Sequence, residues 1–221
     1  MKIQVIVVAA GIGTRFGSKV PKALVRLKNK LLITYSLKVF EQNKAVSGII
    51  VVGHKDYLPR FEALCRGFKK VSAVVAGGKT RADSVKCGLA AVDADTDFVL
   101  VHDAARPLID DGIIGRLTAA LQKDRAAIAA VPVKATIKEV DPKTGQIRAT
   151  PARDRLWEAQ TPQGFYKDVL VKAHNRKFKG EATDDAMLVE RMGVKVKVVM
   201  GNYKNIKITT PEDLDIARHL K

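Results

Sequence analysis

The sequence has few of the residues that several protein classes need. Only two of its 221 residues are cysteines, Cys65 and Cys87, one is a tryptophan, Trp157, and aromatic residues make up 5%. The two cysteines lack the spacing of a metal site and fall in helical patterns. We therefore expect buried, reduced thiols, which are typical of the cytoplasm. We expect Trp157 in the core or in an interface rather than as a platform for base stacking.

Long hydrophobic runs are also missing. No apolar run reaches the roughly 18 residues that a membrane-spanning helix needs. Met1 and Lys2 lead directly into a short strand pattern, so we expect no signal peptide and a cytoplasmic location. With 47% hydrophobic and 28% charged residues, the composition predicts a globular protein rather than a disordered one. A length of 221 residues suits one α/β domain spanning 1–221.

Acidic residues are scarce relative to basic ones. The 39 lysines and arginines outnumber the 23 acids, which gives a net charge of +16. A nucleic-acid-binding domain is one explanation, and it stays an alternative from a different functional class. Against it, the cations are dispersed, few aromatics are available for stacking, and no recognised nucleic-acid motif is present. A small polyanionic substrate needs only a few of these cations, and the others fit a solvated, lysine-rich surface.

Strand-like and helix-like patterns alternate along the chain. This alternation predicts a Rossmann-like α/β fold, a mostly parallel twisted sheet with helices on both faces. Ligands of such sheets bind outside the carboxyl ends of the strands, which directs attention to the loops after residues 8, 76, 101 and 133. Strands are predicted at 3–8, 48–52, 71–76, 97–101, 126–133 and 194–200, and helices at 33–43, 57–66, 81–92, 111–123, 166–176, 184–192 and 212–220.

One segment interrupts the α/β alternation. Residues 136–150 alternate without helical periodicity around a turn at 141–145, which predicts a β-hairpin. We expect residues 134–155 to project from the domain as an arm. Because an isolated two-stranded ribbon is only marginally stable in water, the arm should pack against something, and a symmetric partner subunit is a natural candidate.

The loop after the first strand has the features of a phosphate site. Glycines allow close backbone approach, successive amides form an anion-binding concavity, and Arg15 and Lys22 add two cations. The spacing G-x-G-x-x-x-G differs from the dinucleotide fingerprint and misses the Walker spacing by one residue. The glycines alone would equally suit a tight strand-to-helix turn. With the two cations we predict a triphosphate site in Ala9-Ala10-Gly11-Ile12-Gly13-Thr14-Arg15-Phe16-Gly17.

A second glycine loop follows the strand at 71–76. Gly78 precedes a helix whose N-terminus favours an anion, and Arg81 and Ser84 share one face of that helix. A structural turn with a capping box between Thr80 and Asp83 would explain part of the pattern. It leaves the shared face of Arg81 and Ser84 unexplained, so we predict ligand contact there.

Two further positions are candidate site residues. Asp103 comes at a strand end, where a carboxylate can hold Mg²⁺ together with substrate phosphates; a weak surface pair with Arg106 is the alternative. Lys207 lies in a predicted short strand, 205–209, opposite Ile206 and Ile208, and by itself would be an ordinary exposed lysine. His102 fits a packed histidine without a catalytic role.

Together these motifs resemble the 2-C-methyl-D-erythritol 4-phosphate cytidylyltransferase family of the non-mevalonate isoprenoid pathway. The resemblance extends over nearly the whole chain, and the later motifs are more specific than the first two. The motifs are Ala9-Ala10-Gly11-x-Gly13-x-Arg15, Pro21-Lys22, Gly78 with Arg81-x-x-Ser84, Asp103-Ala104-Ala105-Arg106-Pro107, Leu156-Trp157-x-Ala159-Gln160-Thr161-Pro162-Gln163, Thr183-Asp184-Asp185-Ala186 and Asn205-Ile206-Lys207-Ile208-Thr209-x-Pro211-Glu212-Asp213-Leu214.

The resemblance implies a nucleotide half of the site. The loop that runs from Ala9 and Ala10 to Gly13 would hold the triphosphate of CTP. Arg15 and Lys22 would stabilise the transition state. The cytidine half would contact Gly78 and Ser84, with Arg81 close by.

The resemblance also implies a second half, for the polyol phosphate. Asp103 would assist Mg²⁺, or another divalent cation, and the substrate. Lys207 would position the attacking phosphate, Arg106 would line the site, and Thr161 would contribute there. Thr136 and Arg153 would reach from the arm into the neighbouring subunit of a homodimer.

The implied reaction joins CTP and 2-C-methyl-D-erythritol 4-phosphate and releases pyrophosphate. A substrate phosphate would attack the α-phosphorus in line, so neither a protein nucleophile nor a general base is required. A cytidylyltransferase acting on another polyol phosphate, such as ribitol 5-phosphate, is the alternative within the same class. The implied partners are these two small molecules and a second subunit, without nucleic acid or membrane.

Overall fold

The structure, a computed structural model, describes residues 1–13, 16–17 and 20–220. Its strands are β1 (Ile3–Ala9), β2 (Arg26–Leu27), β3 (Lys30–Leu31), β4 (Val46–Gly53), β5 (Val71–Ala76), β6 (Phe98–Asp103), β7 (Ala126–Pro132), β8 (Glu139–Val140), β9 (Ile147–Ala149), β10 (Trp157–Tyr166) and β11 (Lys197–Met200). Its α-helices are α1 (Leu32–Gln42), α2 (Leu58–Cys65), α3 (Arg81–Ala90), α4 (Asp111–Leu121), α5 (Lys167–Asn175), α6 (Asp185–Glu190) and α7 (Pro211–Leu220).

Seven strands form the central sheet, in the order β11-β7-β10-β6-β1-β4-β5. The pairs of β1 with β4 and β6, of β4 with β5, and of β7 with β11 are parallel. Only β10 runs against its neighbours, β6 and β7. The prediction of a mostly parallel Rossmann-like sheet is therefore confirmed.

Apolar residues on the two faces of the sheet form two separate cores. In β1, Val5 and Val7 pack with α1, α2 and α4, whereas Ile6 packs with α3, α5 and α6. This division follows from the alternation of side chains along a strand. All three side chains are fully buried, which explains the continuous apolar run that predicted this strand.

The strand order reverses around β1. Strands β4 and β5 follow on one side of β1, and β6 lies on its other side. In open α/β sheets the loops at such a reversal diverge and leave a crevice beyond the carboxyl ends of the strands. Val8 of β1 is level with Asp103 of β6, and Ala9 is level with Gly53 of β4, so the last residues of these three strands meet there.

The sequence patterns did not predict the antiparallel strand β10. Its buried residues include the polar Gln160, Thr161 and Gln163, which disguise the apolar pattern of an interior strand. Gly164 explains how β10 fits between its neighbours, because a Cβ there would lie 2.8 Å from side-chain atoms of Leu100 and Leu121. The short β2–β3 hairpin was also not predicted.

Three smaller expectations were wrong in whole or in part: the strand at 205–209, the core alternative for Trp157 and the burial of Cys87. Residues 205–209 do not form a strand; the backbone N–H of Ile208 donates to Ala105 instead, at 2.8 Å. Trp157 is 43% exposed and so is not a core residue, while an interface role stays a prediction. Cys65 is buried and burial raises the pKa of its thiol to about 11, but Cys87 is only half-buried.

The predicted hairpin is present as β8 and β9. Its turn is formed by Asp141, whose carboxylate accepts the N–H groups of Lys143 and Thr144. The arm residues are exposed nearly throughout, and they include the large apolar side chains of Val140 and Ile147. Within the described ranges, no helix has the length and apolar character to cross a bilayer.

Candidate active site

A cavity of about 730 Å³ opens at the carboxyl ends of four parallel strands. The loops after β1, β4, β5 and β6 form its walls, as the reversal of strand order predicts. Its described lining residues are Val8, Ala9, Ala10, Gly11, Ile12, Gly13, Lys22, Ala23, His54, Lys55, Gly77, Gly78, Lys79, Thr80, Arg81, Ser84, Asp103, Ala104, Ala105 and Lys207.

The loop after β1 brings Lys22 against its glycines. Gly13 has φ +74°, a left-handed conformation that favours glycine, and a Cβ at this position would lie 3.1 Å from the Cβ of Lys22. The N–H of Lys22 donates to the carbonyl of Gly11 at 3.4 Å. Lys22 begins a short 3-10 turn anchored by buried Leu24. The predicted cation Arg15 lies outside the described residues.

The loop after β5 leads into the N-terminus of α3. Thr80 and Asp83 form the predicted capping box, in which each side chain accepts the backbone N–H of the other. The Ser84 hydroxyl accepts the N–H of Gly78 at 3.2 Å and donates to the carbonyl of Thr80 at 2.9 Å. A Cβ at Gly78 would lie 2.3 Å from the Cβ of Asp83. Packing thus explains Gly78, and the backbone already uses the Ser84 hydroxyl.

Asp103 lies between two cations. Its Oδ1 accepts from Nε of Arg81 at 3.0 Å, and its Oδ2 is 2.6 Å from Nζ of Lys207. Burial would raise the pKa of the Asp103 carboxyl, but the charges of Arg81 and Lys207 outweigh burial and hold this pKa well below its usual range. Asp103 is therefore an ionised, oriented carboxylate in the cavity wall.

Arg81 bridges Asp103 to a second carboxylate that the sequence patterns did not assign to the site. Its Nη1 donates to Oδ2 of Asp185 at 2.8 Å, and Asp185 in turn contacts Nε2 of His174 at 2.9 Å. Burial would lower the pKa of Arg81, but the two carboxylates raise it above its ordinary value. Arg81 is thus permanently charged. The run of acids at 184–185 was the available signal for this contact, but a helix cap explained it equally well.

Arg106 does not form the surface pair that was the alternative for Asp103. Its guanidinium is buried and donates to the carbonyls of Asn205, at 2.7 Å, and Ala159, at 3.1 Å. Contrary to expectation, Arg106 does not line the cavity. It fastens the segment that presents Lys207 to the end of β10.

Thr161 and His102 support Asp103 from the interior. The Thr161 hydroxyl accepts the N–H of Asp103 at 3.0 Å and lies 3.2 Å from Nδ1 of His102. Nε2 of His102 is 3.1 Å from the carbonyl of Arg106, so Nε2 carries the proton and Nδ1 accepts from Thr161. Burial lowers the pKa of His102 to about 4, which keeps the ring neutral. His102 is the packed histidine that was expected, and Thr161 lies behind the cavity wall.

The predicted arm residues do not join this cavity within their own chain. Thr136 is exposed, and Arg153 donates to the carbonyl of Lys134 at 3.0 Å. Their predicted role in a neighbouring subunit stays a prediction.

The cavity is strongly cationic. Asp103 is the one carboxylate among its described lining residues, against the basic side chains Lys22, Lys55, Lys79, Arg81 and Lys207. Clusters of three or more His, Cys, Asp or Glu side chains suited to a metal are absent from the described part of the chain. Because Mg²⁺ at phosphate sites commonly takes one carboxylate plus substrate oxygens, Asp103 fits such an ion only in the company of a phosphate ligand. The arrangement as a whole suits a polyphosphate.

Comparison with known proteins agrees with this geometry. Residues 3–220 match a family model described as IspD, 2-C-methyl-D-erythritol 4-phosphate cytidylyltransferase. A protein of that name from Alkaliphilus oremlandii is 44% identical over 224 residues, which cover 99% of this chain and 94% of the relative.

Solved structures give the same result. The 4-diphosphocytidyl-2C-methyl-D-erythritol synthase of Anaerococcus prevotii superposes with a TM-score of 0.87 at 32% identity, covering 98% of this chain and 96% of its own. The 2-C-methyl-D-erythritol 4-phosphate cytidylyltransferase of Francisella tularensis gives a TM-score of 0.84 at 32% identity, with both chains fully covered. The chain belongs to the 2-C-methyl-D-erythritol 4-phosphate cytidylyltransferase family of nucleotidyltransferases.

Proposed function

We propose that the cavity at the carboxyl ends of β1, β4, β5 and β6 binds CTP beside 2-C-methyl-D-erythritol 4-phosphate and joins them. The products are 4-diphosphocytidyl-2-C-methyl-D-erythritol and pyrophosphate. The observation that carries the proposal is the convergence of Lys22, Arg81 and Lys207 on one cavity, where Arg81 and Lys207 pair with Asp103, the one carboxylate among the described lining residues.

The chemistry is an in-line displacement at phosphorus. A phosphate oxygen of the polyol substrate forms a bond to the α-phosphorus of CTP, and the bond from that phosphorus to the bridging β-oxygen breaks. Two unit negative charges about 4 Å apart repel by roughly 1 kcal/mol in water and roughly 4 kcal/mol at an effective dielectric constant of 20. Fixed cations that bring the two anions together and neutralise the developing charge therefore lower the barrier most.

We assign the triphosphate to the loop after β1. The backbone of Ala9, Ala10, Gly11 and Gly13 lines the cavity beside Lys22, whose charge would offset that of the phosphates. Arg15, in the same loop, would add a second cation. A compact ammonium close to the leaving group supports charge transfer to pyrophosphate in the transition state.

We assign the cytidine to the wall formed by the start of α3. Gly78 and Ser84 line the cavity there, with Arg81 one turn before Ser84. The hydrogen bonds among Gly78, Ser84 and Thr80 hold this wall in one conformation, so backbone groups are preorganised for the nucleotide.

We assign the polyol phosphate to Lys207. Asp103 holds the Lys207 ammonium in the cavity, and Arg106 and Thr161 act on the same contact indirectly, by fastening the 205–208 segment and Asp103. Thr136 and Arg153 of a partner subunit would complete this half. The exposed, partly apolar arm 134–155 favours such a homodimer, since a free two-stranded ribbon is marginal.

A divalent cation, Mg²⁺ in the first instance, would be held by Asp103 together with the phosphates of CTP. When bound, it would neutralise phosphate charge and polarise the α-phosphoryl group. The two unpaired cysteines also favour the cytoplasm as the location of the enzyme.

The test is pyrophosphate release from CTP and Mg²⁺ with each candidate acceptor. We expect release with 2-C-methyl-D-erythritol 4-phosphate and little with ribitol 5-phosphate. A preference for ribitol 5-phosphate would overturn the substrate. Tight, steeply salt-dependent binding to DNA or RNA without pyrophosphate release would instead favour the nucleic-acid alternative.

A further inference from the structure

The charges at the cavity continue into the interior beyond the residues assigned above. We propose that Asp185 and His174 are positioning residues for the reaction. They fix the guanidinium of Arg81, and through Arg81 they hold Asp103 and Lys207 in place. This inference rests on the proposed function, because it takes Asp103 and Lys207 as parts of the active site.

The five side chains form one continuous series in which basic residues alternate with acidic ones. From the cavity inwards, Lys207 contacts Asp103 at 2.6 Å, Asp103 contacts Arg81 at 3.0 Å, Arg81 contacts Asp185 at 2.8 Å, and Asp185 contacts His174 at 2.9 Å. The two ends differ in exposure: the Lys207 side chain is 42% exposed, whereas Asp185 and His174 are 1% and 3% exposed. The series thus connects an exposed end in the cavity to a buried end in the interior.

Asp185 is not the residue that caps its helix. The cap of α6 is Asp184, whose Oδ1 accepts the N–H of Met187 and whose Oδ2 accepts from Gln163. Gln163 of β10 also accepts the N–H of Ala186, so the residues on both sides of Asp185 are bonded to the sheet, Asp184 by its side chain and Ala186 by its backbone. The two adjacent acids therefore have different roles: Asp184 caps the helix, and the carboxylate of Asp185 contacts Arg81 and His174.

His174 determines which way Asp185 faces. The pKa of the Asp185 carboxyl is lowered, since Arg81 and His174 outweigh the opposing effect of burial. An ionised carboxylate only accepts hydrogen bonds, so Nε2 of His174 carries the proton and donates to Oδ1. Oδ2 is thereby directed at Arg81.

The planar guanidinium of Arg81 connects Asp185 to Asp103. Arg81 uses Nε for Asp103 and Nη1 for Asp185, so its guanidinium is held along two edges. Its Nη2 is buried without a hydrogen-bond partner among the described residues. If Asp185 no longer held Nη1, the guanidinium could turn two nitrogens towards Asp103 and compete there with Lys207. Loss of Asp185 would then change the position of the Lys207 ammonium, three ion pairs away along the series.

The first experiment compares Asp185→Asn with a matched control, Asp168→Asn. Asp168 is also a carboxylate between two cations, Arg125 and Lys172, but it lies on the surface. We expect D185N to lower kcat/KM for 2-C-methyl-D-erythritol 4-phosphate by about 10- to 100-fold, the scale of a small misplacement of reacting groups. D168N should stay within about twofold of wild type. A D185N enzyme that is folded and equally active overturns the proposal.

A second pair of variants, at His174, tests the proposal even if D185N does not fold. His174→Gln keeps an N–H donor near the position of Nε2, whereas His174→Phe keeps the bulk of the ring without the donor. We expect H174Q to retain most of the wild-type kcat/KM and H174F to lose about tenfold, with thermal unfolding measured for both. Equal activities of H174Q and H174F would overturn the role of His174.

A double-mutant cycle separates positioning from plain structural support. Arg81→Lys keeps the charge but loses the fork that joins Asp103 to Asp185. If Asp185 acts through Arg81, D185N should cost little extra activity in the R81K background, so the two losses are strongly non-additive. Fully additive losses overturn the proposal. A wild-type enzyme that is inactive with 2-C-methyl-D-erythritol 4-phosphate would instead contradict the proposed function.

Discussion

Lys207 and Asp103 come from segments 104 positions apart, and they meet in an ion pair of 2.6 Å in the lining of the cavity. The pair leaves the Lys207 side chain 42% exposed while Asp103 is buried. A buried carboxylate thus holds an accessible ammonium at the place where two anionic substrates must meet. This relationship explains how an otherwise ordinary surface lysine acquires a fixed position.

Lys207→Ala should lower turnover by about 10²- to 10³-fold, because a preorganised cation that stabilises transition-state charge is lost. Pyrophosphate release measures the effect, and circular dichroism should show an intact fold. Lys204→Ala is the matched control, since Lys204 lies in the same segment but does not line the cavity. Near-normal release from Lys207→Ala would remove this residue from the mechanism.

His102 should make the protein less stable in mild acid. Its pKa in the folded state is lowered from 6.5 to about 4, so the unfolded chain binds the proton more readily. The associated stability is present above pH 6.5 and is lost as the pH falls towards 4, about 3 kcal/mol in all. Denaturant unfolding at a series of pH values between 4 and 6.5 gives the unfolding free energy as a function of pH. This free energy should depend less steeply on pH in His102→Gln than in the wild type. An unchanged pH dependence would contradict the assignment of a buried neutral ring.

Gly78→Ala should damage the wall formed by the start of α3, because the new Cβ would lie 2.3 Å from the Cβ of Asp83. We expect a loss of about 1–3 kcal/mol in unfolding free energy and a higher KM for CTP. Gly115→Ala in α4 is the control; among the described residues, no atom outside its own turn lies within 4 Å of the added Cβ, so it should be neutral or slightly stabilising. Equal effects of the two substitutions would contradict the packing argument.

The proposed exchange of arms predicts complementation between subunits. Arg153→Ala and Lys207→Ala remove groups that different subunits would contribute to one site, so in a mixed dimer one site would keep both groups. Equal amounts of the two inactive variants, unfolded and refolded together, should recover about a quarter of wild-type activity. Light scattering should give the mass of a dimer. No recovery in a mixture that contains mixed dimers would place Arg153 outside the partner's site.

Much of the fold was predictable because the parallel strands are buried on both faces and are therefore mostly apolar, as in β1 and β6. The antiparallel strand β10 was not predictable in the same way. It contains three buried polar residues, Gln160, Thr161 and Gln163, and each of them is hydrogen-bonded to a distant segment. The periodicity of the local sequence does not reveal such contacts.

The candidate site was predictable in part. Glycines and cations after strand ends indicated the loops at Gly13 and Gly78, and the position of Asp103 indicated its exposure to the cavity. Lys207 gained its role only from the family resemblance, and its segment is not the strand that alternation predicted. The contact of Arg81 with Asp185 joins residues 104 positions apart, so only the folded chain could show it.

The central claim is tested most directly by pyrophosphate release from CTP and Mg²⁺, in the presence and absence of 2-C-methyl-D-erythritol 4-phosphate, by the wild-type enzyme and Lys22→Ala. We expect release that depends strictly on the polyol phosphate. We also expect the rate of release to fall by about 10²-fold or more when the Lys22 cation is lost from the triphosphate loop. Release without the polyol phosphate, or an unimpaired Lys22→Ala enzyme, would contradict the central claim.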